Sequence, residues 1–263
     1  MNPKKALFFD IDGTLVYENS GKLIVHELNL RAIKELREKG YKTFIATGRT
    51  QDFVPDVVNN LPMDGFVTAN GSVVSVDKKI VYEKLFPKQY ITDVINFCEK
   101  NNHSWMFEGK FAYVASYDSE PLEYFSNSVV IDKNKIAISD DIYKETIYNA
   151  LVLGRDIDSN ALSKCLGDGC IAAAHPNHGY VDCYLASHTK ADGIDMIVNH
   201  FDLHDYELYA FGDGNNDLEM FGRVDVAVAM DNATDLLKEK ATLITKTNYN
   251  AGVYFGLVKL GLI

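Results

Sequence analysis

Asp10 and Asp12 stand on either side of Ile11 at the end of the apolar run ALFFDIDGTL, and Gly13 and Thr14 follow at once. Positions i and i+2 of a strand face the same way, so both carboxylates point into the space beyond the strand's C-terminal end. Two acids at that separation repel, and one is held neutral unless a cation joins them. Such a pair suits a reaction that needs one carboxylate nucleophile and one proton donor. A lone Asp before a Gly reads as a solvated turn, whereas two of them directly after an apolar strand favour chemistry. His175 and His178 in AHPNHG have a spacing that suggests a metal. Pro176 and Gly179 mark a turn there and no third ligand is near in sequence, so a zinc-type site is disfavoured. No G-x-G-x-x-G, Walker P-loop or G-x-S-x-G occurs, which removes the usual dinucleotide, NTPase and serine-hydrolase readings.

The acids need an element to deliver them, and the run before Asp10 reads as a buried strand. Helical spacing of Leu30, Ile33 and Leu36 over Glu27 to Lys39, closed by Gly40, predicts a helix. YKTFIAT then reads as a strand, Asp52 to Leu61 as a helix with Pro55 in its first turn, and GFVTANG as a third strand. That alternation predicts a parallel sheet with sites at the strands' C-terminal ends. The rhythm then changes: SVVSV-DKK-IVYEK and SWMFE-GK-FAYVAS read as hairpins, and Pro87 to Lys100 carries Ile91, Val94, Ile95 and Cys98 on one helical face. After about residue 187 the alternation resumes. The expected architecture is α/β, a doubly wound, Rossmann-like parallel core of residues 1–82 and 188–263 with an α+β cap inserted at 83–187. Trp105, Phe107, Phe111 and Tyr113 alternate along the second hairpin and read as core rather than as a sugar-stacking platform.

Composition narrows the partners. The chain of 263 residues has 26 basic and 37 acidic side chains, a net charge of −11, which argues against nucleic acid and anionic membrane. Residues 83–187 and 188–263 each hold six more acids than bases. Four cysteines without C-x-x-C spacing read as thiols of a reducing compartment. No segment has the apolar length of a signal core or a membrane span, so a cytoplasmic protein is expected.

FFDIDGTL resembles the signature of the haloacid dehalogenase superfamily of aspartate-nucleophile phosphohydrolases, and counterparts of that family's three later motifs follow in order. ATGR supplies Thr47 and Gly48, TKADGI supplies Lys190, and FGDGNND supplies Asp213, Asn216 and Asp217. The interval from Thr47 to Lys190 houses the inserted unit, which is the pattern of the Cof-type branch of sugar-phosphatase-like enzymes. Asn70 and Gly71 in TANGS match that branch's Asn-Gly motif, and NAGV resembles its C-terminal segment. The branch commonly has Gly directly after the third-motif Lys, whereas Ala191 and Asp192 precede Gly193 here.

The resemblance implies a phosphomonoesterase acting on a small phosphorylated metabolite, foremost a sugar phosphate. Asp10 would be the nucleophile and Asp12 the acid and base. Asp10, the Asp12 carbonyl and Asp213 would hold Mg²⁺, and Thr47, Gly48, Lys190 and Asn216 would take the phosphate. Asp217 would orient Lys190 or a metal-bound water. Arg49, Asn70, Gly71, His175 and His178 are expected substrate contacts, and the cap is expected to close over the site. A phosphomutase or phosphotransferase shares these motifs and is the alternative. A non-catalytic phosphometabolite sensor would be expected to have lost Asp10, Asp12, Lys190 or Asp213, and none is lost. The oligomeric state is left open.

Overall fold

The computed structural model describes residues 4–128, 130–175 and 179–263. The chain divides into two compact units. The first comprises Met1–Gly48, Val54–Tyr82 and Thr189–Ile263, the second Arg49–Phe53 and Glu83–His188.

The first unit is built on an eight-stranded sheet in the order Leu243–Ile244, Val226–Ala229, Glu207–Gly212, Lys5–Phe9, Lys42–Ala46, Gly65–Thr68, Val73–Val76 and Lys79–Glu83. The first six run parallel, and Val73–Val76 is antiparallel to Gly65–Thr68. From Lys5–Phe9 the chain moves outward on one side to Lys42–Ala46, and later returns on the other side at Glu207–Gly212. Crevices form where strand order reverses in this way. Alternation decides the two layers. Phe8, Phe44, Val67 and Ala210 pack on one face with Ile194 and Ile197 of the helix Lys190–Phe201. Leu7, Phe9, Ile45 and Phe211 pack on the other with Ile33 and Leu36 of the helix Glu27–Glu38 and with Leu257 of the helix Gly252–Lys259. Strands covered on both faces read as unbroken apolar runs, as ALFF and AFG do here. Gly40 takes φ 77° just past the end of the first helix, the left-handed cap that its position suggests. The stretch expected as one helix after residue 51 is a 3₁₀ turn, Gln51–Phe53, and a short helix, Asp56–Asn59, with Pro55 as its N-cap rather than inside its first turn.

The second unit carries a six-stranded sheet in the order Ile136–Ala137, Ala112–Val114, Ser104–Gly109, Ile147–Leu153, Tyr180–Leu185 and Cys170–His175. All pairs but the first are antiparallel. The helices Lys88–Asn101 and Ser159–Leu166 cover one face, where Val94, Cys98 and Leu162 meet Phe107, Val152, Val181 and Cys183. Phe107 and Tyr113 are buried in that cluster, with Trp105 and Phe111 packed against it, so the aromatic alternation of the hairpin is core. Cys98, Cys170 and Cys183 are buried free thiols, and burial pushes Cys98 and Cys170 up to about 12. Among the described residues, no helix is long and apolar enough to cross a membrane.

Candidate active site

Two strand ends and one helix start in the first unit converge on one group of charges. Asp10 follows Lys5–Phe9, and its amide continues the ladder by donating to the Phe211 carbonyl at 3.0 Å. Asp213 follows Glu207–Gly212. Lys190 opens the helix Lys190–Phe201, with a fully buried side chain whose Nζ lies 2.7 Å from Asp10 Oδ1 and 2.6 Å from Asp217 Oδ1. The other Asp217 oxygen accepts the backbone N–H groups of Asp213 at 2.9 Å and Gly214 at 3.0 Å. Asp217 therefore fixes both the ammonium and the turn that carries Asp213. Thr14 Oγ1 donates to Asp213 Oδ1 at 3.0 Å. The sequence Ala191-Asp192 after Lys190 has a local cause: the Asp192 carboxylate accepts the Thr189 amide at 2.8 Å and closes a capping box at the helix start. Gly193 lies against Val67, with no room for a β-carbon.

The electrostatics are those of a buried acidic cluster with one cation inside it. Burial pushes the Asp10 carboxyl up to about 7; the Lys190 charge opposes this, and Asp217 and Asp12 add to it. Burial, followed by Asp10 and Asp217, also drives Asp213 well above the carboxylate range. Desolvation alone would lower Lys190, but the charges of Asp10 and Asp217 outweigh it and keep the ammonium protonated. Ligand oxygens of Asp10, Asp213 and Asp217 lie within 4.8 Å of one another. Ionising all three acids against one ammonium would leave a negative excess in a poorly solvated place, which is why Asp10 and Asp213 hold their protons more tightly. A hard divalent cation with oxygen ligands offsets such an excess in place of those protons. The residues present thus fit a divalent metal. The Asp12 side chain is exposed and lies outside that three-residue group. Its segment is a tight loop in which the Ile11 carbonyl accepts the amides of Leu15 and Val16, both at 3.0 Å.

A second cluster surrounds the end of Lys42–Ala46. Thr47 is buried, its amide donates to the Val67 carbonyl at 2.9 Å, and its carbonyl accepts the Asn70 amide at 3.0 Å. Asn216 Nδ2 donates to Asn70 Oδ1 at 3.0 Å. Gly48 lies against both amide side chains. The structure thus brings Asp10, Lys190, Asp213 and Asp217 together, and Thr47, Gly48, Asn70 and Asn216 together, with Gly71 next to Asn70. Arg49 and His175 belong to the second unit. The Arg49 guanidinium donates to the Phe53 carbonyl of its own loop at 3.1 Å. His175 Nε2 lies 3.2 Å from Asp182 Oδ2, and its ring stacks on Tyr180 with centroids 4.6 Å apart. His178 lies outside the described residues.

Two supports were not singled out from the sequence. Thr14 belongs to the first motif, so its place beside Asp12 was a usable signal. Asn232 had none: its Nδ2 donates to the Gly13 carbonyl at 2.8 Å and its Oδ1 accepts the Asn248 amide at 3.0 Å.

Comparison with known proteins places this arrangement. A family model described as haloacid dehalogenase-like hydrolase matches residues 7–257. YkrA of Bacillus subtilis (strain 168), a provisionally named phosphatase, is 28% identical over 268 residues, covering 98% of each chain. YcsE of the same organism, named a 5-amino-6-(5-phospho-D-ribitylamino)uracil phosphatase, is 26% identical over 258 residues, covering 95% of this chain and 92% of its own. Among solved structures, the subclass IIB sugar phosphatase BT4131 superposes with a TM-score of 0.86 at 26% identity, over 99% of this chain and 100% of that one. Since the family match runs through every loop that contributes a charge to the cluster, the chain belongs to the haloacid dehalogenase-like hydrolases.

Proposed function

We propose that the protein is a Mg²⁺-dependent phosphomonoesterase of small phosphorylated metabolites, with sugar phosphates foremost, working through an aspartyl-phosphate on Asp10. The observation that carries this reading is the Lys190 ammonium held between Asp10 and Asp217, 2.7 and 2.6 Å away, with Asp213 alongside. Lys190 keeps Asp10 from drifting fully to its neutral form and presents a fixed cation to the phosphoryl oxygens. Asp10 attacks phosphorus as the ester bond breaks, and Asp12, whose side chain is exposed, gives a proton to the leaving oxygen. Asp12 then takes a proton from the water that hydrolyses the acyl-phosphate. Asp10, the Asp12 carbonyl and Asp213 would hold Mg²⁺, with Asp217 orienting Lys190. Bound Mg²⁺ supplies neutralisation of the charge on the transferring phosphoryl group. Thr47, Gly48 and Asn216 donate to the remaining oxygens.

We assign the chemistry to residues 1–82 and 188–263, and the choice of substrate to residues 83–187. The relatives named for phosphatases of a sugar phosphate and a ribitylamino-uracil phosphate support a small hydroxylated substrate. The test is release of inorganic phosphate from p-nitrophenyl phosphate and a panel of sugar phosphates with Mg²⁺, for the wild type and Asp10→Asn. Turnover by the wild type and its loss in the variant are expected. Normal turnover by Asp10→Asn removes the nucleophile assignment.

A further inference from the structure

Ala69, Asn70 and Gly71 all lie in the left-handed region, with φ of 49°, 51° and 102°. That conformation costs energy for most side chains and least for Gly and Asn, and here it turns the Asn70 side chain inward. Asn70 is fully buried. Its backbone N–H donates to the Thr47 carbonyl at 3.0 Å, and its Oδ1 accepts from Asn216 Nδ2 at 3.0 Å. One residue therefore ties the loop after the Lys42–Ala46 strand to the loop after the Glu207–Gly212 strand. Gly48 sits against the tie: a β-carbon there would lie 3.1 Å from Asn70 Oδ1 and 3.3 Å from the Nδ2 atoms of both Asn70 and Asn216. Asn70 Nδ2 is also buried with no hydrogen-bond partner among the described residues. A buried amide donor left unspent is costly, and it needs a reason beyond packing.

We infer that Asn70 is a positioning residue for phosphate binding, holding the Asn216 amide at the angle the phosphoryl group requires. An amide nitrogen has two hydrogens. Asn216 spends one on Asn70, which leaves the other fixed in direction for a phosphoryl oxygen. The unspent Asn70 donor adds positive potential behind Gly48. Neutral amides are suited to this task beside an acidic cluster, because they attract an oxyanion without competing with Lys190 for Asp10. The inference rests on the phosphate-site reading above and adds to it a residue that acts through Asn216.

The test uses the full chain with Mg²⁺ and inorganic phosphate as the probe, followed by isothermal titration. Asn70→Gly keeps a backbone that tolerates φ near 50° while removing the tie. About tenfold weaker phosphate binding is expected, equivalent to about 1.4 kcal/mol, with Asn216→Ala weakening it at least as much. The double variant should then bind no more weakly than Asn216→Ala alone. Unchanged binding in Asn70→Gly, or losses that multiply in the double variant, overturns the inference while leaving the phosphate site intact. Failure of the wild type to bind phosphate overturns the site reading and the inference with it. If Asn70→Gly does not fold, the side-chain amide signals of Asn70 and Asn216 in the wild type serve instead: both should shift on phosphate addition, and a static Asn70 signal overturns the inference. On turnover, Asn70→Gly should raise KM more than it lowers kcat, a split that a general loss of stability does not produce.

Discussion

The carboxylate of Asp213 occupies the space that a side chain on Gly13 would need. Gly13 also sits at φ 75°, so two independent constraints keep that position without a β-carbon. The close approach lets the first loop wrap Asp213, where Thr14 and, through the Gly13 carbonyl, Asn232 brace it.

Gly13→Ala is accordingly expected to displace Asp213 and to cost about 1–2 kcal/mol from backbone strain alone. Its melting temperature should fall by several degrees, while the loss of Mg²⁺-dependent turnover should be far larger than that instability accounts for. Equal turnover at a temperature where both proteins are folded would contradict the crowding at this site.

Lys190→Met removes the ammonium while keeping much of the stem's volume, leaving Asp10 and Asp217 without their shared cation. Turnover should fall by about 10²–10³, the scale of losing a preorganised charge aimed at the reacting group. Circular dichroism and kcat measured together check this, since a folded variant with near-normal kcat would show that Lys190 serves packing only.

Metal removal should couple to pH. The Asp10 carboxyl is pushed up to about 7, first by burial, against an ordinary value of 3.8. The folded state thus holds that proton more tightly than the unfolded chain, and stability from this group declines as pH rises from about 4 to about 7. In EDTA this group should make the melting temperature lower at pH 7.5 than at pH 5. Added Mg²⁺ should raise it more at the higher pH, where no proton need be displaced, and should restore turnover. A Mg²⁺ effect of equal size at both pH values would separate the metal from Asp10.

Asp64 makes the opposite pH prediction. Burial pushes it up, but hydrogen bonds from Arg37, the Thr43 amide and Lys42 outweigh burial and hold it below 3.8. Arg37 pairs with Oδ2, and Lys42 Nζ lies 2.9 Å from Oδ1. Its contribution is complete above the ordinary carboxylate value and is lost as pH falls through the depressed one. Asp64→Asn should cost about 2 kcal/mol at pH 7, and less in acid, as read by urea unfolding at pH 7 and pH 3. A constant difference would show that the charge plays no part.

Much of the site could be read locally. An apolar run such as ALFF has to be buried, and acids at its end cannot be buried without partners, so Asp10 and Asp213 had to emerge at strand ends. The alternation of Trp105, Phe107, Phe111 and Tyr113 likewise fixed a core face, because strand side chains repeat every two residues. Helix limits followed from capping and spacing, as at Gly40. Pro55 did not follow, since a proline fits both the N-cap and the first turn.

The contacts that turn those residues into a site came from the fold. Lys190 reaches Asp10 across 180 positions and Asn216 reaches Asn70 across 146, separations over which periodicity carries no information. Strand order sets those meetings: the chain passes outward from Lys5–Phe9 and returns on its other side, which brings the loops after three strands to one edge. Arg49 likewise follows Gly48 directly in sequence, yet the fold groups its loop, Arg49–Phe53, with the second unit. The sequence by itself determined which side chains are chemically capable and that they end strands, because burial and backbone period are local constraints. Only the tertiary structure decided which of them share a charge or a hydrogen bond, because that depends on how distant segments pack against one sheet.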